Sequence, residues 1–432
     1  MASAPTKRAN MIVHEQEPYN AEPPRAALAE HLITPVDVFY GRNHGTMPEI
    51  DPQAWRLRVG GLVEHALEFS LPELQQRFTP VEVTATLQCA GNRRAGLMAY
   101  RDIPGQHPWG AGATSTARWR GARLSDVLAA CGLGGQVTDV AFDAPDVAPE
   151  ADPPQPFGGS ISVDKATAPE VLLAWEMNGE PLPTAHGGPV RVVVPGYIGA
   201  RSVKWVQRIT AQDHPSENFF QQGAYRVLPA DTDTARTRPG DGVALGPVAL
   251  NSEILTPDDG DELTAGATHV AGYAFAGDDR TVVRVDVTAN GGATWVQADL
   301  DAQPTHWTGA SGAPVSTSRQ DGSRSRRVPG TAPRPCSPNT PPPSGTPRAT
   351  STTPGPPSPS PPRRPPPELT AHSRHETDRR RPARRPATTS ADPRARAEPA
   401  DSGPRSFSNP AERPSPDARS CLVTPIGASA KP

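Results

Sequence analysis

At 432 residues the chain is long enough for two or three domains, and its composition divides it. Residues 311–432 hold 28 of the 55 prolines, 20 basic against 9 acidic residues and a single aromatic, Phe407, for a formal +11, whereas residues 1–310, with 23 basic and 37 acidic residues, carry −14. The acidic part argues against a nucleic-acid partner, which needs a clustered basic face, and the tail is too poor in apolar residues to offset its chain entropy, so it is expected to be disordered.

Residues 1–24, and in looser form the chain as far as residue 50, read as an extended lead-in that ends in the mixed run Val38-Phe39-Tyr40-Gly41-Arg42-Asn43-His44. Strand-like stretches follow at Trp55–Val59 and Val81–Leu87, separated by a helix over Leu71–Phe78. Ala122–Leu128 opens a second helix that Gly132 ends. Val190–Gly196 is a β-branched strand stopped by Pro195-Gly196, and Ser202–Ile209 is read as another. This mixture predicts an α+β domain over residues 25–235. From Val243 the pattern becomes short alternating strands, Val270–Ala274, Val282–Val287 and Thr294–Ala298, with turns at Asp278-Asp279 and Gly291-Gly292. These indicate an immunoglobulin-like β-sandwich over 243–307, cut short after about four of the seven strands such a fold takes. Residues 308–432 are the disordered tail.

Four cysteines, Cys89, Cys131, Cys336 and Cys421, lie far apart with no metal-type pairing and no disulfide framework. No apolar h-region follows Met1–Arg8 and no stretch is apolar enough to span a bilayer, so a soluble, cytoplasmic protein without a membrane partner is expected. Walker loops, Gly-x-Gly-x-x-Gly, Gly-x-Ser-x-Gly and His-Glu-x-x-His are absent, and without Cys-x-x-Cys-His no haem is expected in the chain.

Cys89 sits where a strand ends and the Gly91-Asn92 turn begins. A lone cysteine is ordinarily a small buried hydrophobe. Here Arg93 and Arg94 follow at once, and a cationic neighbourhood favours the thiolate that a soft metal needs. Other basic islands at strand edges or glycine turns are Arg42-Asn43-His44, His186, Arg191 and Lys204. Taken singly, Arg191 and Lys204 extend into water; taken together, the islands suit an oxyanion or a phosphorylated cofactor.

Tyr19–Pro24, Thr34-Pro35, Arg42–His44, Leu87–Arg94, Ser115–Trp119 with Gly121, Leu172–Pro183 and His186–Trp205 resemble, in order, the motifs of the sulfite oxidase family, over roughly residues 15–305. The resemblance implies a mixed α/β molybdopterin-binding domain followed by a dimerisation domain, and a molybdenum–molybdopterin cofactor with Cys89 on the metal. It also implies pterin contacts from Tyr40, Gly41, Arg42, Asn43, His44, Asp146, His186, Arg191, Ser202, Val203 and Lys204. An anion pocket would be lined by Arg42, Arg94, Trp109 and Tyr225. The loop after Asp146 departs from the family in length. The implied reaction is oxygen-atom transfer, oxidising sulfite to sulfate with electrons passed to an external acceptor, a cytochrome or oxygen, in a homodimer. Nitrate reduction on the same scaffold is the alternative enzyme reading, and an inactive truncated product with a polyanion-binding tail is the alternative of another class.

The family continues its sandwich for ~60 residues beyond the position of Trp295, a length in keeping with that fold, and draws a further pocket arginine from there. In this chain the Pro/Arg-rich tail stands instead. Back-translated and shifted by one base, Gly345–Pro356 reads Trp-Asn-Pro-Lys-Gly-Tyr-Val-Asn-Asn-Ser-Trp-Ala, a family-like ending, and Pro329–Ala332 fits a shifted Ala-Trp-Asp-Ser. The tail is therefore read as a frameshift beginning near residues 303–318, against the alternative of a genuine low-complexity, Arg-rich segment.

Overall fold

The computed structural model describes residues 7–229, 232–233, 236–263, 268–290, 292–313 and 348–352. Two five-stranded sheets build the first domain. One is antiparallel, in the order Glu180–Pro181, Leu172–Met177, Thr114–Arg123, Val81–Gln88, with Arg191–Val193 also paired to Leu172–Met177. The other runs Leu67–Phe69, Leu57–Gly61, Arg208–Gln212, Asp139–Ala148, Gln155–Ser162, and is mixed because Arg208–Gln212 lies parallel to Leu57–Gly61.

The side-chain period of two explains how the first sheet is buried on both faces. Leu173 and Trp175 enter a core shared with Leu57, Val59, Phe142 and Ile209 of the second sheet. Their neighbours Leu172 and Ala174 point the other way, into a core with Leu87, Cys89, Trp109 and Trp119, and a bulge at Trp175 puts Met177 on that side too. The cysteine at the end of the Val81–Gln88 strand thus emerges from a packed layer on a rigid element.

Both expected helices form. Leu71–Arg77 starts at Ser70, whose hydroxyl accepts from Glu73 N–H while the Glu73 carboxylate accepts from Ser70 N–H at 2.7 Å. Leu124–Cys131 buries Leu124, Val127, Leu128 and Cys131, the spacing of one helical face, and stops at Gly132 with φ 70°. Ala122 and Arg123, expected inside that helix, instead end the Thr114–Arg123 strand. The lead-in is more structured than expected, with a hairpin of Ile12–Glu15 and Asn20–Glu22 and a short helix Arg25–Ala29. Ser202–Ile209 is not a strand: a 3₁₀ turn at Gly199–Arg201 leads into an irregular segment in which Trp205 has φ 51°, and pairing resumes only at Arg208.

The second domain has seven strands among the described residues. Asn251–Thr256, Ala271–Phe275, Ala310–Ala313 and Asp299–Leu300 form one sheet, and Val296–Gln297, Thr281–Val287 and Arg348–Thr352 the other. Ala274, Val282, Val285, Val287 and Ala298 make their common core. The strands at 310–313 and 348–352 lie beyond residue 307, where the sandwich was expected to stop. The rest of the tail, expected to be disordered and frameshifted, lies outside the described residues. No helix among the described residues is long and apolar enough to cross a membrane.

Candidate cofactor-binding site

Immediately after the Val81–Gln88 strand the chain turns, with Asn92 N–H donating to Cys89 O and Arg94 N–H to Gly91 O, each at 3.0 Å. Cys89 N–H is held by Ala113 O at 2.9 Å, and Gly91 N–H donates to Cys89 Sγ at 3.3 Å. The sulfur is fixed in this way on the wall of a cleft that opens to solvent. A bridge between Gln88 and Ile198 brings the Gly199–Arg201 turn against the same strand end.

Tyr40, Gly41, Arg42, Asn43 and His44 form a second wall of this cleft, and Asp146, His186, Arg191, Ser202, Lys204 and Tyr225 complete it. Residues some 180 positions apart in sequence therefore converge as the basic islands required. Arg191 leaves its strand buried, donates to His186 O at 2.9 Å and Ser202 O at 2.8 Å, and stands 5.0 Å over the Trp119 ring. Lys204 donates to Asn43 Oδ1 and lies 4.2 Å over the ring of Trp205. Trp205, next to it, has a left-handed backbone, rare for a bulky residue, and the segment does not continue as a strand there.

The electrostatics are those of a pocket in which basic groups outnumber acidic ones. Burial pulls Lys204 down to about 7, with Asp146 acting against the shift. Burial likewise lowers Arg191 to about 10 and holds His186 well below its usual value. Asp146 is pushed up to about 6 by burial, and its Oδ1 has no hydrogen-bond partner. Burial lowers His44 to about 3, so its ring is neutral. Its Nδ1 meets both the Glu150 carboxylate and Arg42 Nη2, the latter at 3.0 Å, and its Nε2 lies 2.8 Å from Tyr225 Oη. Burial raises Tyr225 to about 12, which keeps the phenol protonated.

Three of the expected site residues are not on the cleft wall. Arg94 packs its guanidinium against Gly91 and donates to His107 O at 3.1 Å, behind the cysteine turn, although it stays within electrostatic reach of Cys89 and Tyr225. Trp109 is fully buried in the core beside Cys89, edge-on to His14 at 4.7 Å. Val203 is a core residue whose carbonyl accepts from Val192 N–H.

Other residues of the site went unforeseen. Lys7, from the lead-in, donates from Nζ to Val36 O at 2.6 Å and Phe39 O at 2.8 Å and lies 2.8 Å from His186 Nε2. A single lysine in a Pro-rich, charged segment carries no signal that would have found it. Glu22 accepts from Gly110 N–H and Gly112 N–H at 2.6 and 2.7 Å and so fixes the loop that holds Cys89 N–H. Phe157, Gly199 and Trp205 also line the cleft.

Comparison with known proteins is decisive. The family model described as an oxidoreductase molybdopterin binding domain matches residues 44–220, and that of a Mo-co oxidoreductase dimerisation domain matches 244–318. The chain is 44% identical to sulfite oxidase of Gallus gallus over 310 residues, 69% of this chain and 65% of that protein. It is 37% identical to sulfite oxidase of Arabidopsis thaliana over 69% of this chain and 78% of that one. The chain belongs to the sulfite oxidase family. Among solved structures, the sulfane dehydrogenase SoxCD of Paracoccus pantotrophus matches with a TM-score of 0.60 and 28% identity, covering 71% of this chain and 75% of that one.

The cofactor of this family's first domain is molybdenum–molybdopterin, and the cleft fits it. Among the described residues no group of three or more His, Cys, Asp or Glu converges as a metal site. A soft metal here would find one thiolate, at Cys89, and take its remaining ligands from elsewhere, as the dithiolene of a pterin supplies. Buried cations with lowered affinity for protons await an anionic group, and the unpartnered Asp146 Oδ1 awaits an N–H donor.

Proposed function

We propose that the chain oxidises sulfite to sulfate, consuming one water and releasing two protons and two electrons per turnover, with the electrons passed to an external acceptor. The observation that carries this reading is the single fixed thiol, Cys89 Sγ, facing a cleft walled by Arg42, Arg191 and Lys204. The cofactor would supply two-electron oxygen-atom transfer at molybdenum.

Cys89 would hold the metal, and the buried cations Arg191 and Lys204, with the neutral His186 beside them, the phosphorylated end of the pterin. Asp146 Oδ1 would accept from a ring N–H. Arg42, nearest the His44–Tyr225 pair, draws a dianion into the cleft and offsets its charge. Tyr225 keeps its proton and lies 2.8 Å from His44 Nε2, and His44 Nδ1 meets Glu150, whose side chain is 37% exposed. This chain of hydrogen bonds leads from the cleft towards solvent and gives a released proton a route outward. The second domain would join two copies. Its match to a dimerisation domain and the exposed apolar side chains of Val243, Val283 and Val296 support that arrangement.

The test is sulfite-dependent reduction of a dye by protein from cells supplied with molybdate, with nitrate in place of sulfite as comparison and Cys89→Ser as control. Sulfite turnover with loss of both molybdenum and activity in Cys89→Ser is expected. Retained activity in that variant would remove the assignment.

A further inference from the structure

The turn that carries Cys89 is held from outside its own domain. Arg93 has φ 67°, an unfavourable conformation for a non-glycine residue, and donates its N–H to Gly110 O at 2.7 Å. Its side chain reaches the second domain: Nε lies 2.5 Å from Glu253 Oε2, and Nη1 donates to Ser252 O at 2.7 Å. Glu253 Oε1 pairs in turn with Arg25 at 2.8 Å, so one carboxylate ties the cysteine turn to the lead-in. Beside it, Tyr273 Oη accepts from Asn92 Nδ2 at 2.7 Å and donates to Ala111 O at 3.2 Å. Ala111 lies in the loop whose Ala113 carbonyl holds Cys89 N–H. A single phenol therefore spans the two segments that fix the cysteine, and burial raises its pKa so that it stays a neutral donor. Along the approach to Cys89, residues of the second domain also cover the strand edge: Thr86 N–H donates to Trp307 O at 2.9 Å, and Thr305 Oγ1 to Thr84 O at 2.7 Å.

We propose that Glu253 and Tyr273 are positioning residues for the Cys89 thiol, so that the second domain sets the orientation of the metal ligand as well as joining copies of the chain. This rests on the reading of Cys89 as the molybdenum ligand. An ion pair anchored by a carboxylate that is 14% exposed and a hydrogen bond from a part-buried amide to the Tyr273 phenol are interactions whose loss loosens a local segment while leaving the rest of a fold in place. Without them the left-handed Arg93 relaxes, and the turn with it.

The test compares full-length Glu253→Gln and Tyr273→Phe with the unaltered protein and with Asp258→Asn. Asp258 meets Arg25 from the same domain without touching the cysteine turn. In protein made without cofactor, the rate of iodoacetamide alkylation of Cys89 is followed by peptide mass, with the buried Cys131 as internal reference. A rise of about tenfold at Cys89 alone is expected in the first two variants, the size set by losing one part-buried hydrogen bond that holds the turn. In molybdenum-loaded protein the same variants should show shifted g-values in the Mo(V) electron paramagnetic resonance spectrum. Cys89 rates within about twofold of the unaltered protein, or equal rises at Cys89 and Cys131, overturn the inference. Molybdenum retained in Cys89→Ser would instead overturn the ligand assignment, leaving the alkylation comparison to report on the clamp by itself.

Discussion

Replacing Arg191 by methionine separates a residue kept for its ligand from one kept for the fold. The guanidinium is buried, and its pKa falls from 12.5 to about 10, so keeping the charge inside the folded protein costs on the order of 3 kcal/mol. Methionine removes that penalty. It also strands the carbonyls of His186 and Ser202, at about 1–3 kcal/mol each, and forfeits the contact with Trp119, worth about 1 kcal/mol. The two sides largely offset, leaving a net loss of about 0–4 kcal/mol, or a Tm lower by at most roughly 15 °C in a domain of this size. An anion in the cleft would lose a charge-assisted bond of about 1.5–3 kcal/mol, at least tenfold in affinity. The assays are thermal unfolding of cofactor-free protein and fluorescence of the pterin released from protein made in cofactor-producing cells. A Tm lowered by more than about 15 °C, with pterin content per folded chain unchanged, would show that Arg191 serves the fold and would refute the reasoning.

Stability of the cofactor-free protein should depend on pH through Lys7 and Lys204, both lowered from 10.5 to about 7, burial being the first cause. The unfolded chain keeps these protons up to pH 10.5, whereas the folded chain releases them near 7, so in this window the unfolded state binds more protons and stability rises with pH. Urea unfolding at pH 7, 8 and 9 should show increasing midpoints, and a flat or falling series would contradict the burial of these amines as bases. In Gly199→Ala the new methyl would lie 2.8 Å from Tyr40 Oη and 3.4 Å from Gln88 O, forcing the tyrosine into the cleft. A loss of about 1–3 kcal/mol by chemical denaturation, together with reduced pterin content, is expected, and normal pterin content would show that Tyr40 can move aside.

The site was legible where chemistry and local pattern coincide. Cys89 is marked by a strand end, a glycine turn and two arginines, and the β-branched run at Val190–Val194 marks a strand. The Ser202–Ile209 misreading has a physical cause: the alternation of Val203, Trp205 and Ile209 resembles a strand, but the left-handed Trp205 breaks the pairing and no local residue announces it. Arg94 and Trp109 lie near the cysteine turn, yet which side of that turn they occupy depends on the packing of His14, Gly91 and His107, distributed over nearly a hundred positions. Lys7 and Glu253 were out of reach for the same reason, since each acts across domains or across most of the chain.

The Lys7 contact also imposes an order on assembly. Its amine is satisfied by Val36 O, Phe39 O and the ring of His186, the last of these 179 residues further along. On the ribosome the lead-in emerges first, yet it cannot lock until the segment carrying His186 has been made and folded. The amine of Lys7 therefore waits, only partly satisfied, on a partner from the far end of the same domain.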